Sequence, residues 1–163
     1  MATFSNPVVF RGTATFLGAV TLPAGTITNA MVSAGAGIGA EKLQHSHKQT
    51  YAQPSGDTPS AEAKVVHVCR ASGGGTIVAF RCGCVVAPAS GEEVVFDLLI
   101  NGATALTGQV TVNDSHAAYE LVDGTIDTSS LSTDDVVEIK VVSNTGTTQK
   151  GAFAEVVVKE DYE

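Results

Sequence analysis

The sequence predicts an all-β protein, an extended N-terminal β arm followed by an antiparallel β-sandwich of jelly-roll-like form. Three observations carry that prediction. Residues 8–22 alternate apolar and mixed side chains without a break, which is the period of a strand and not of a helix. From Lys64 onward, short strand-like runs recur between glycine, asparagine and aspartate turns. Charged residues make up only 16% of a chain that holds 17 glycines and no tryptophan, a composition suited to sheets joined by tight turns.

The arm comprises residues 1–25. Along it Val8, Phe10, Gly12, Ala14, Phe16, Gly18, Val20 and Leu22 fall on one face, with glycine returning after six residues. Fifteen residues at roughly 3.3 Å each would reach about 50 Å, longer than most strands of a compact domain. An apolar stripe of that length, with no neighbour in sequence to cover it, calls for burial against other chains. Pro23, Ala24 and Gly25 end the arm with a turn signal.

Residues 26–63 read as short helical turns and a polar linker. TITNAMVSAGA is followed by GIGAEKLQHSH, an eleven-residue near-repeat that aligns Ile27 with Ile38 and sets Met31 and Leu43 at single-turn spacing from them. No third copy follows, so a solenoid is not indicated. From Gln44 to Ala63 the chain is polar and broken by Pro54, Gly56 and Pro59, which predicts a linker.

The sandwich is expected over residues 64–163. Candidate strands cover about 64–71, 76–87, 93–101, 104–112, 117–122, 136–143 and 151–159. Between them stand turn formers, among which Asn101 and Gly102 give the sharpest signal, because both tolerate the positive φ of a type I′ hairpin. Val94, Phe96, Leu98 and Ile100 alternate onto one face of the strand before that turn. Asp97 lies opposite and needs a partner. The triple glycine 73–75 precedes a strand and reads as a hairpin loop, since phosphate cradles open onto helices.

Net charge is −8, yet residues 1–50 carry about +2 and the remainder about −10. An acidic outer domain repels phosphates and anionic lipid, so neither nucleic acid nor membrane is an expected partner. Cys69, Cys82 and Cys84 are odd in number and no secretory leader precedes them, which predicts free thiols made in a reducing compartment.

The sequence lacks a nucleophile elbow, a phosphate loop and a zinc-protease helix, and no enzymatic activity or cofactor is expected. The acidic pairs Glu92 with Glu93 and Asp134 with Asp135 fall in predicted turns, where a solvated surface accounts for them. Cys82 and Cys84 would share a strand face about 7 Å apart, too far for an easy disulfide. A zinc site from His67, Cys69, Cys82 and Cys84 is conceivable, and buried thiols are the preferred reading. His45 and His47 would project to one side of an extended chain, and their spacing resembles the HxH rings of trimeric phage fibres and spikes, a resemblance that implies six nitrogens around a threefold axis for a transition metal. A solvated pair is preferred there, so no metal is favoured.

Taken together, NPVVFRGTATFLGAVTLPAGTI, ITNAMV with IGAEKLQH, and VVFDLLINGATAL resemble tailed-bacteriophage virion proteins of the capsid decoration (cement) and head-fibre kind. The resemblance implies a structural, homotrimeric protein of the capsid surface, made in the host cytoplasm, whose arms tie major capsid subunits together and whose jelly-roll knob faces outward. It brings no catalytic residue. Val8, Phe10, Phe16, Val20, Leu22, Ile27, Met31, Ile38 and Leu43 are then the expected capsid or trimer contacts. The alternative is a phage fibre, or a receptor- or glycan-binding sandwich tip. A shortage of exposed aromatics counts against that tip, because sugars are usually gripped by them.

Overall fold

A computed structural model describes residues 45–160 of the chain. The arm 1–25 and the contacts expected from Val8 through Leu43 lie outside the described residues. Ten strands follow in order: β1 (His45–Ala52), β2 (Glu62–Val68), β3 (Gly75–Val86), β4 (Glu93–Ile100), β5 (Ala103–Thr104), β6 (Val110–Asn113), β7 (Val122–Asp123), β8 (Ser130–Leu131), β9 (Val136–Asn144) and β10 (Lys150–Glu160). All described pairings are antiparallel, and no helix occurs among the described residues.

The strands build two sheets. One runs β1-β10-β3-β7 with β8 also on β3, and the other β2-β9-β4-β5 with β6 also on β4. β5 and β6 are two pieces of one interrupted strand along β4, and β7 and β8 stand likewise along β3. Counting each broken strand once leaves eight positions, four to a sheet. Their pairing is nested, with β4 on β5 and β6, β3 on β7 and β8, β2 on β9, and β1 on β10. A long antiparallel ribbon wrapped into two sheets has this pattern, which is the jelly roll.

The tip of the ribbon is the turn that the sequence marks most clearly. Asn101 and Gly102 have φ of 50° and 81°, as a type I′ turn requires, and Ile100 pairs directly with Ala103. A Cβ at Gly102 would meet no atom within 4 Å, so the position is selected by conformation alone. Gly102→Ala is therefore expected to cost about 1 kcal/mol, read as a lowered urea midpoint with unchanged slope.

Alternation along the long strands fills the space between the sheets. Phe80, Phe96, Leu98, Ile139, Val156 and Val158 are fully buried there. β4 is central, as expected, and Asp97 is buried at 5% exposure with its partners supplied. Its carboxylate accepts from the Leu98 amide at 2.9 Å, the Thr104 hydroxyl at 2.7 Å and the Gln109 side-chain amide at 3.3 Å.

The strand expected over 104–112 breaks into β5 and β6, and three further features differ from the sequence reading. The sandwich begins at His45 and not at Lys64, because the polar stretch taken for a linker contains β1, an edge strand paired along its whole length with β10. A strand with one side in solvent carries a polar face, and HSHKQTYA buries only Tyr51 fully. Second, residues 117–121 form a turn, and only Val122 and Asp123 of that region pair as β7. Third, the glycines 73–75 connect β2 in one sheet to β3 in the other, so they form a crossing between sheets rather than a hairpin.

Candidate functional site

Two places gather polar chemistry on this frame. The first lies where β1 begins and β10 ends, since His45 pairs with Glu160 and His47 with Val158. Parity puts His45 and His47 on one side as expected, with ring centroids 6.3 Å apart and 20° between planes. His67, from β2 in the opposite sheet, stands 5.5 Å from the His47 ring. Between them sits the Glu160 carboxylate, only 4% exposed. It accepts from the Arg70 amide at 3.0 Å and pairs with His67 Nε2 at 3.1 Å. His47 Nε2 approaches its other oxygen to 3.3 Å without the alignment of a hydrogen bond. Burial acts to raise the Glu160 pKa, and the Arg70 amide with the hydrogen bond and charge of His67 outweigh it, so the carboxyl is held below the usual range. The cluster thus clamps both sheets together beside the point where residues 1–44 join the sandwich.

The cysteines do not join this cluster as a metal cage. Cys69 packs beside Gly75, the first residue of β3, whereas Cys82 and Cys84 lie seven and nine residues further along that strand. All three are buried free thiols. Burial pushes each pKa upward, that of Cys84 to about 11, while Cys69 also faces Glu160 and Cys82 also feels Cys84. Among the described residues, no three His, Cys, Asp or Glu side chains are arranged to hold a metal ion. The acidic turn residues serve the backbone. Glu92 accepts from the amides of Thr147, Thr148 and Ala89, and the Thr147 bond leads in holding its carboxyl below the usual range against partial burial. Asp135 does the same for the Ser132 amide and the Asn101 side chain.

The second place is a groove of about 420 Å³ between the far edges of the two sheets. β6 and the residues before it form one wall, and β7 with Thr125 forms the other. Val110 and Val122 supply apolar surface, while Thr107, Thr111 and Thr125 offer hydroxyls and Gln109 an amide. Gln109 is tethered by its bond to Asp97. Asp123 is fixed by Arg81 Nε at 2.8 Å, yet its side chain remains 78% exposed.

Residues 114–121 connect these walls and are pressed onto β3. The Tyr119 amide donates to the Cys84 carbonyl at 2.9 Å, the Glu120 amide to the Ala117 carbonyl at 3.2 Å, and the Glu120 carboxylate accepts from the Ala117 amide at 2.6 Å. Gly83 makes the close approach possible, because a Cβ there would lie 2.2 Å from the Glu120 carbonyl oxygen. On this braced turn Tyr119 takes a φ of 63° and is 69% exposed. The left-handed region costs a bulky residue about 1–2 kcal/mol, so the ring is displayed at the expense of stability. No periodicity in the sequence announces this site; the only hint is a turn that places Tyr where Gly or Asn is usual.

No protein-family model matches the chain and no curated protein matches it. A solved structure does, namely a chain of the cyanophage Pam1 capsid asymmetric unit, at 16% identity and a TM-score of 0.52 over 72% of this chain and 84% of that one. The likeness shows a shared fold.

Proposed function

We propose that this chain is a structural virion protein, a homotrimeric decoration or cement protein that binds and stabilises a phage head through its N-terminal arm. The observation that carries the reading is a jelly roll of the kind found in a phage capsid chain, joined in sequence to an arm whose apolar stripe has its own strand period. The described strands close a core of their own, so the sandwich does not require the arm for burial. Val8, Phe10, Phe16, Val20 and Leu22 then dock on the major capsid protein or on the two sister copies. Ile27, Met31, Ile38 and Leu43 add further anchors. Each large apolar side chain buried there contributes about 1.5–3 kcal/mol, and three linked arms raise the effective affinity well beyond one.

Purified protein should show a trimer mass and cosediment with undecorated capsids. A chain lacking residues 1–25 should keep the far-ultraviolet signature of the sandwich and lose cosedimentation. Retained capsid binding by the truncated chain sinks the mechanism, and a monomeric mass sinks the trimer. A second reading, a fibre or receptor-binding tip in which the sandwich makes the contact, is favoured by one observation, the groove between β6 and β7.

A further inference from the structure

We propose that the groove between β6 and β7 is a binding site for a neutral oligosaccharide, and that Tyr119, outside the groove's own lining on the turn that joins its walls, is an outer contact for a chain that extends beyond it. A sugar chain presents hydroxyls at its edges and apolar C–H surface on its ring faces, and the site offers a counterpart to each. Thr107, Thr111 and Thr125 exchange hydroxyl hydrogen bonds, each able to donate and accept. The Asp123 carboxylate, held by Arg81 and still open to solvent, accepts from hydroxyls. Val110 and Val122 meet the apolar surface within the groove.

Tyr119 is the independent observation. An exposed aromatic alone would mean little. This one sits at a φ that its side chain disfavours, on a turn braced by three hydrogen bonds and by the space left at Gly83. Pre-ordering removes most of the entropy that a mobile loop would lose on capturing a ligand. Tyrosine also gives a large amphipathic contact area with few rotatable bonds. Charge selects among sugars. Asp123, Asp114 and Glu120 lie on these same segments of a chain with net charge −8, so uronic and sialic acids are repelled and neutral oligosaccharides admitted.

The proposal rests on the second reading above, in which the sandwich itself makes the contact, and not on capsid attachment through the arm, so its test can fail separately. Full-length protein is applied to a printed array of neutral tetra- to hexasaccharides built from glucose, galactose and N-acetylhexosamines, and hits are measured by titration calorimetry. Saturable binding is expected, weakened at least about tenfold in Tyr119→Gly, a hot-spot-sized loss. Glycine occupies positive φ without penalty, so that variant keeps or raises the melting temperature and its loss of binding is not a loss of fold. Thr125→Val should weaken the same hit. No hit at millimolar oligosaccharide, or a hit whose affinity both variants leave unchanged, overturns the assignment.

Discussion

Gly83→Ala is expected to lower stability by about 2–3 kcal/mol and to release the turn at 117–121. The new methyl group would stand 2.2 Å from the Glu120 carbonyl oxygen on one side and 2.8 Å from the Phe153 ring on the other. A ring can tilt, but the carbonyl belongs to a backbone pinned through the Tyr119 amide to Cys84, the residue next to Gly83 itself. The turn must therefore lift as a unit. Loss of the Cys84 and Ala117 hydrogen bonds should appear as faster amide exchange at Tyr119 and Glu120, and urea unfolding should shift to a lower midpoint. An unchanged midpoint with unchanged exchange would refute the close packing of this turn on β3.

Glu160→Ala should cost about 3 kcal/mol near neutral pH. The carboxylate is buried, and it accepts from the Arg70 amide and pairs with the buried His67 imidazole of the opposite sheet, so its removal leaves buried donors without an acceptor. The effect carries a pH signature. A glutamate whose folded pKa is lowered contributes stability that is complete above the usual carboxylate range, and that contribution is lost as pH falls through the lower folded value. The gap between wild type and Glu160→Ala should accordingly hold from neutral pH down to about pH 5 and narrow below about pH 4. Urea titrations at stepped pH would read it, and a gap that stays constant into strong acid contradicts the placement of Glu160.

Much of the sandwich was legible in the sequence because the physics that builds it is local. Val94, Phe96 and Leu98 alternate as a strand with one face in the core must, and Asn101 with Gly102 admits few conformations other than the turn it forms. β1 escaped notice for the converse reason. Its partner β10 supplies the apolar residues, while its own contribution to the core is Tyr51, which a polar context conceals. The two-residue strands β7 and β8 carry no period at all. At the candidate sites, parity correctly set His45 beside His47, but no sequence rule could bring Glu160 to His67 across 93 positions. The groove was hidden because hydroxyl residues at 107, 111 and 125 look like ordinary surface until β6 and β7 face one another.

The nested pairing of the strands also orders events in time. β4 and β5 can meet around two residues, whereas β3 with β7, β2 with β9 and β1 with β10 each close a longer loop than the pair before. Closure entropy grows with every step, so the ribbon is expected to zip outward from Asn101 and Gly102 on the slow timescale of non-local sheets. β1 is then the last strand to dock. Residues 1–44 precede it in sequence, so the strand that continues from them is the last part of the sandwich to form. A half-folded sandwich is thus one that still lacks β1, and under the proposed attachment through residues 1–25 the order of closure would hold incomplete subunits back from assembly.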